Sequence, residues 1–283
     1  MTTTKPIIAL MYDFDKTLCT KDMQEYTFIP RVKMSAEDFW GQAMRLSQEE
    51  KMDPILAYMM LMIDKARSEH VKIHRENFVE MGPDLELFPG VEGWFERINE
   101  AGRANGVEIE HYIISSGLRE IIEGSSIYDY FKEVFACEFY YDENDVAVWP
   151  KNVVNYTTKT QFLFRINKGI LDLSENKEIN AYTPKDERRI PFENMIYIGD
   201  GMTDVPCMKL VKVNGGYSIA VHKPGEKGKV ESLIRDGRVD ILAEADYSPG
   251  SEMDRVVQEM IRGMAVRDSL RRQSLKQLKE VEI

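Results

Sequence analysis

Cysteine is scarce in this chain: Cys19, Cys137 and Cys207 are all it has in 283 residues, with no Cys-x-x-Cys spacing. An odd, scattered set of thiols argues against a disulfide framework or a zinc ribbon and fits a reducing cytoplasm. Long apolar runs are missing too. No stretch could span a bilayer, and the opening Met-Thr-Thr-Thr-Lys-Pro lacks the apolar segment of a signal peptide. Basic residues are in deficit, 37 Lys and Arg against 48 Asp and Glu, for a net charge of −11. That argues against nucleic acid or an anionic membrane as the main partner. Histidine is rare. His70 and His74 fall four apart in a segment read as helix, but no third ligand accompanies them and no metal role is assigned. The run Lys223–Lys229 lacks the spacing of a phosphate-binding loop and reads as an exposed loop. There is no internal repeat and no low-complexity tract.

What is present is a core. With 43% hydrophobic residues, the chain can bury one large domain or a domain plus an insertion. Ile7–Tyr12 and Met195–Ile198 have the length and content of fully buried strands. Val107–Ile114, Gly216–Val221 and Val239–Leu242 read as further strands. Val134–Tyr141 and Val146–Val154 flank Asp142-Glu143-Asn144-Asp145, a good hairpin turn. Helices are expected near 91–104, 159–167 and 252–279. Between about Met23 and Met81 no strand-like run occurs. Pro54–Ala66 is apolar nearly all round and reads as the centre of a helical bundle, with Met59, Met60 and Met62 as core filler. The expected fold is α/β, a doubly wound, mostly parallel sheet formed by 1–20 and 87–283, with a helical cap inserted at 21–86.

Two acidic strings stand directly after buried-type strands: Asp13-Phe14-Asp15-Lys16-Thr17 and Gly199-Asp200-Gly201-Met202-Thr203-Asp204. Carboxylates at the C-terminal ends of parallel strands fall on the sheet edge where ligands bind. Together they can hold a hard divalent cation such as Mg²⁺. Such a cation offsets the repulsion between a carboxylate nucleophile and a dianionic phosphate ester. Asp13, taken as the end of the first strand, is the candidate nucleophile and metal ligand, and Asp15 the candidate acid and base. Asp200 supplies the opposing carboxylate, and Asp204, placed one turn into the next helix, braces the site. Ser115-Ser116-Gly117, read as a turn after the neighbouring strand, offers a hydroxyl and backbone N–H groups to phosphoryl oxygens. Lys159 is the preferred cation because it opens a helix ahead of Asp200, with Lys151 and Lys168 as weaker candidates. Thr17 reads as a brace of the first loop. Asp22, Glu25 and Arg31 are the nearest charged residues of the inserted segment.

These residues, in this order, resemble the four motifs of haloacid dehalogenase superfamily phosphatases, closest in layout to the phosphoserine-phosphatase-like branch. The resemblance covers roughly 5–20 and 87–250. It implies Mg²⁺ as cofactor and an aspartyl-phosphate on Asp13. It also implies metal contact through the Asp13 carboxylate, the Asp15 backbone carbonyl and Asp200. The acid at Asp15 argues against dehalogenation. The implied activity is hydrolysis of a small phosphorylated metabolite. The alternatives are a phosphotransferase or mutase of the same fold, and a catalytically silent relative. The chain departs from phosphoserine phosphatases at Ser116, Thr203 and Asp22, which stand where Gly, Asn and Glu are usual. Those departures leave the substrate open.

Overall fold

The strand β1 (Ile7–Tyr12) is buried from Ile8 onward, because both of its faces are covered and both of its edges are paired. It is the centre of a seven-stranded sheet in a computed structural model that describes residues 5–281. The extreme ends of the sequence-drawn core lie outside the described residues. The other strands are β2 (Glu108–Leu118), β3 (Phe131–Tyr141), β4 (Ala147–Asn152), β5 (Met195–Gly199), β6 (Tyr217–His222) and β7 (Ile241–Glu244). Their spatial order is β4-β3-β2-β1-β5-β6-β7. Every neighbouring pair is parallel except the hairpin β3–β4. The chain winds outward from β1 through β2 and β3, then returns to β5 on the other side. The strand order therefore reverses between β1 and β5, which places a ligand crevice at their C-terminal ends.

Helix Val91–Ala104 buries Val91, Trp94, Phe95, Ile98 and Gly102, a single helical stripe laid on the sheet. Under it, Trp94 Nε1–H donates to the Tyr12 hydroxyl at 2.9 Å, which in turn meets His111 Nδ1 at 3.0 Å. Burial pushes His111 down to about 3, so this imidazole stays neutral in the core.

Between β1 and helix Val91–Ala104 the main elements are helices, the longest being Ala36–Glu50 and Pro54–Ser68. Each has a side-chain cap. Ser35 accepts the Asp38 N–H at 3.0 Å, and Asp53 accepts the N–H groups of Ile55 and Leu56. The segment leaves and rejoins the sheet at one place. Thr20 N–H bonds to Glu86 O at 2.9 Å, and Phe88 N–H to Leu18 O at 2.9 Å. It also reaches the hairpin, where Ala147 N–H donates to Ile73 O at 3.0 Å.

Several local expectations need correction. His70 and His74 share no helix. The helix ends at Ser68, His70 has a left-handed backbone (φ 56°), and Val71 N–H closes back on Ala66 O. His74 instead precedes helix Arg75–Val79 and its Nδ1 meets Asp145 O. Met59 and Met62 are core residues, but Met60 lies on the outer face and is 44% exposed. The last strand starts at Ile241 rather than Val239. The three cysteines are buried and free, and among the described residues no helix is long and apolar enough to cross a membrane.

The return of the helical segment is packed backbone to backbone. A Cβ on Gly82 would lie 2.2 Å from the Gly124 carbonyl carbon and 2.6 Å from Ile121 O, neither of which is a flexible side-chain end. Gly82→Ala is therefore expected to destabilise the protein by roughly 2–4 kcal/mol, read as a lower unfolding midpoint in urea. An unchanged midpoint would show that this contact relaxes at no cost.

Candidate active site

The loop after β1 is wound around one carbonyl. Phe14 O accepts the N–H groups of Thr17, Leu18 and Cys19, and Lys16 takes a left-handed backbone (φ 58°) to make the turn. β1 itself ends at Tyr12, one residue before Asp13, yet Asp13 N–H still bonds to Ile198 O of β5 at 2.9 Å. The Asp13 carboxylate is fixed at its base. Its Oδ1 accepts the Phe14 N–H at 2.8 Å and faces Lys159 Nζ at 3.2 Å. Asp15 turns another way: its Oδ1 accepts Met23 N–H at 2.8 Å, from the first turn of the helical segment.

Lys159 does open a helix, Lys159–Lys168, and its side chain is wholly buried. Its ammonium lies 2.7 Å from Asp204 Oδ1, which also accepts the Tyr197 hydroxyl at 2.7 Å. Asp204 is not one turn into the following helix but the residue just before Val205–Val213. Its carboxylate caps nothing there and folds back over β5 instead. Gly199 makes room for it, since a Cβ at that position would sit 2.6 Å from the Asp204 carboxyl carbon. Lys151 pairs with Glu138 and Lys168 binds the carbonyls of Ile179 and Ala181, so neither competes for the site.

Carboxylate oxygens of Asp13, Asp200 and Asp204 lie within 4.8 Å of one another. The Asp15 carboxylate is not among them and accepts Met23 N–H, which leaves its backbone carbonyl, the atom expected to contact the metal, untouched by this grouping. Charge is unbalanced here. Three acids share one buried lysine, and the Asp200 carboxylate makes no hydrogen bond or ion pair with any described residue. Burial and the neighbouring Asp204 carboxylate push Asp13 up to about 7, against the pull of Lys159. Burial, then Asp13 and Asp204, hold Asp200 well above the usual carboxylate range. Lys159 is raised by the two acids beside it and stays charged. Surplus carboxylate oxygens with no sulfur or nitrogen donor suit a hard divalent cation. Asp13 and Asp200 are the ones available to it, because Lys159, Tyr197 and Gly201 N–H already occupy Asp204.

The Ser115-Ser116-Gly117 segment is not a turn. β2 runs on through Leu118, with a register irregularity against β3 between Ile114 and Leu118. Ser115 is buried, and its Oγ accepts Gly117 N–H at 3.0 Å. It is Ser116 that lines the pocket, and its Oγ has no partner in the protein. Gly117 leaves room for two side chains, since a Cβ there would meet Met23 Cε at 2.2 Å and Asp15 Oδ2 at 2.8 Å. Thr17 is buried with an unpartnered hydroxyl, so any bracing of the loop comes through its carbonyl, which accepts the Tyr247 hydroxyl.

Asp13, Asp15, Asp200 and Ser116 open into one pocket of about 320 Å³. Lys16 and Asp22 also line it and pair with each other at 2.5 Å. Glu25 and Arg31 do not line it, although Glu25 accepts Trp40 Nε1–H. Sequence reasoning missed Gln24, Trp40, Ile55, Tyr58 and Tyr156, which complete the wall. The available signals were slight: a tryptophan beside the buried Phe39 of an amphipathic helix, and an Ile–Tyr pair three apart at a helix start.

Residues 10–209 match the family described as haloacid dehalogenase-like hydrolase. The chain belongs to that family. The match runs from inside β1 to helix Val205–Val213 and so spans every acid described above. A relative from Borreliella burgdorferi, an uncharacterized protein, is 30% identical over 90% of this chain and 96% of its own length. Among solved structures, a family hydrolase from Salmonella enterica serovar Typhi is similar at a TM-score of 0.56 and 18% identity, over 84% of this chain and 68% of that one. A substrate-bound phosphoserine phosphatase gives 0.54 and 14%, over 84% and 93%. A phosphoserine phosphohydrolase-like protein from Francisella tularensis gives 0.51 and 20%, over 83% and 94%. These likenesses establish that the fold is shared with phosphoserine phosphatases.

The elevated acids make a signed prediction about pH. A carboxyl group raised in the folded protein holds its proton there to higher pH than in the unfolded chain. Through Asp13 the metal-free protein should therefore lose stability from about pH 4 to about pH 7, and the elevated Asp15 and Asp200 act in the same direction. A divalent cation held by Asp13 would compete with its proton, so calorimetric titration with Mg²⁺ should show an affinity that rises between about pH 5 and 8. Affinity independent of pH across that window would mean that Asp13 is already ionised throughout.

Proposed function

We propose that the chain is a Mg²⁺-dependent phosphomonoesterase acting on a small phosphorylated metabolite. The observation that carries this reading is the placement of Asp13 and Asp15 beside Asp200 in one pocket, with a fully buried Lys159 held against Asp13. Asp13 and Asp200, with the backbone carbonyl of Asp15, would hold the ion. When bound, it offsets the repulsion between the Asp13 carboxylate and the phosphate dianion.

The residues divide the chemistry between them. A carboxylate oxygen of Asp13 attacks phosphorus as the bond to the ester oxygen breaks, and Asp15 gives its proton to the departing alcohol. Burial, followed by Asp22 and Asp13, holds Asp15 well above the usual carboxylate range, which suits it to carry that proton. Water then attacks the aspartyl-phosphate, Asp15 takes the proton back, and orthophosphate leaves with Asp13 restored. Ser116 is offered as a donor to the phosphoryl oxygens, and Lys159 steadies Asp13. Ser115 holds the strand segment through Gly117 N–H. The helical segment 21–86 acts as a cap over the site, a role supported by its paired ends at Leu18–Thr20 and Glu86–Phe88. Free, buried cysteines support a cytoplasmic setting.

Asp13→Asn should abolish turnover without unfolding the protein, because the amide keeps the shape but is neither nucleophile nor anionic ligand. Asp15→Asn should slow esters of poor leaving groups most, since those need the proton. Chelation with EDTA should remove activity, Mg²⁺ should restore it, and Ca²⁺, with more ligands at longer distances, should not. Near-wild-type kcat/KM in Asp13→Asn would defeat the mechanism, and indifference to EDTA would defeat the role of the ion.

A further inference from the structure

Past the acids, the pocket changes character. Its volume of about 320 Å³ is at the low end of the roughly 300–1,000 Å³ typical of small-molecule sites, so a seated phosphate leaves room for only a small alcohol. The wall around that alcohol consists of Trp40, Ile55, Tyr58 and Tyr156, together with Asp22 and Gln24. The Trp40 and Tyr58 rings meet edge to face, with centroids 5.8 Å apart. Their polar atoms are already engaged: Trp40 Nε1–H donates to Glu25 Oε1 at 2.9 Å, and the Tyr58 hydroxyl donates to Ser116 O at 2.6 Å. What these two residues leave for a ligand is ring surface. Gln24 is 1% exposed, and its Oε1 has no partner in the protein.

Charge narrows the choice. Asp13, Asp15, Asp22 and Asp200 line the pocket against Lys16, the one cation among its described lining residues, and Lys16 is tied to Asp22. No arginine stands there to fork onto a carboxylate or a second phosphate. An alcohol carrying another anion would find no free cation to pair with, since Lys16 is tied to Asp22 and Lys159 to Asp13 and Asp204. One carrying an ammonium group would be drawn by the aromatic faces. We infer that the ester selected by this pocket is a phosphorylated amino alcohol, its ammonium held among Trp40, Tyr58 and Tyr156 beside Asp22. This rests on the phosphomonoesterase reading of the same site.

The test compares four esters with the Mg²⁺-loaded protein. Choline phosphate is set against 3,3-dimethylbutyl phosphate, its neutral carbon isostere, and ethanolamine phosphate against phosphoserine, which adds one carboxylate. The expected result is a kcat/KM roughly tenfold or more higher for the first member of each pair. Tyr156→Leu, at a 44% exposed position, should lower the ratio for choline phosphate over its isostere roughly threefold or more. Hydrolysis of the isostere as fast as choline phosphate, or of phosphoserine as fast as ethanolamine phosphate, would overturn the inference and leave the phosphatase reading standing. Failure of all four to react would overturn both.

Discussion

The site depends on one buried cation placed between two acids. Lys159 has no access to solvent and faces Asp13 and Asp204, which come from the ends of β1 and β5. A lone ammonium in that position would be very costly, and so would either carboxylate alone; each is tolerable only because the others are present. The trio therefore ties three distant parts of the chain together at the point where the strand order reverses. Gly199 and Tyr197 serve the same arrangement, the first by giving Asp204 room and the second by donating to it. With Asp204 committed to structure, Asp13 and Asp200 remain in surplus. That surplus is a standing demand for a cation, which Lys159 offsets only in part.

The helical segment is governed by a different constraint. Its ends are hydrogen-bonded side by side, Thr20 to Glu86 and Leu18 to Phe88, so it is anchored at the loop that carries Asp13 and Asp15. Its other attachments include three directed bonds: Asn155 Nδ2–H to Asp53 at 2.9 Å, Ala147 N–H to Ile73 O, and the Tyr58 hydroxyl to Ser116 O. Two of the three end on residues that line or adjoin the pocket. Asp15 belongs to this set as well, because Met23 N–H holds its carboxylate. A shift of the segment would thus be felt by Asp15 and by Ser116 together.

Much of this is legible in the amino-acid sequence, and the reason is geometric. Buried parallel strands announce themselves as short apolar runs, and acids directly after them have only the sheet edge to occupy. Asp13, Asp15, Asp200, Asp204 and Lys159 can therefore be named from order and spacing alone. The misses share a cause in local backbone detail. Ser116 rather than Ser115 lines the pocket because β2 continues with an irregular register, and in a strand each one-residue step reverses the face. The helix before His70 ends on a left-handed histidine rather than a glycine, so its stop carries no signal. Met60 reads as core because a helix apolar on all sides does not reveal which face is covered.

The aromatic wall is illegible for another reason. Trp40 and Tyr58 lie on two helices of the inserted segment, and Tyr156 on the loop before Lys159. Trp40 and Tyr58 meet where those helices pack, and Asn155 fastens the loop of Tyr156 to Asp53, the residue that caps the second of them. No spacing encodes such a meeting; it depends on how two packed units are joined. The acids proposed to do the chemistry are set by the sheet, which many sequences can build, whereas the aromatic wall of the pocket is set by this junction. The chemistry is therefore readable from short motifs, while the choice of substrate depends on side chains that only the folded chain brings together.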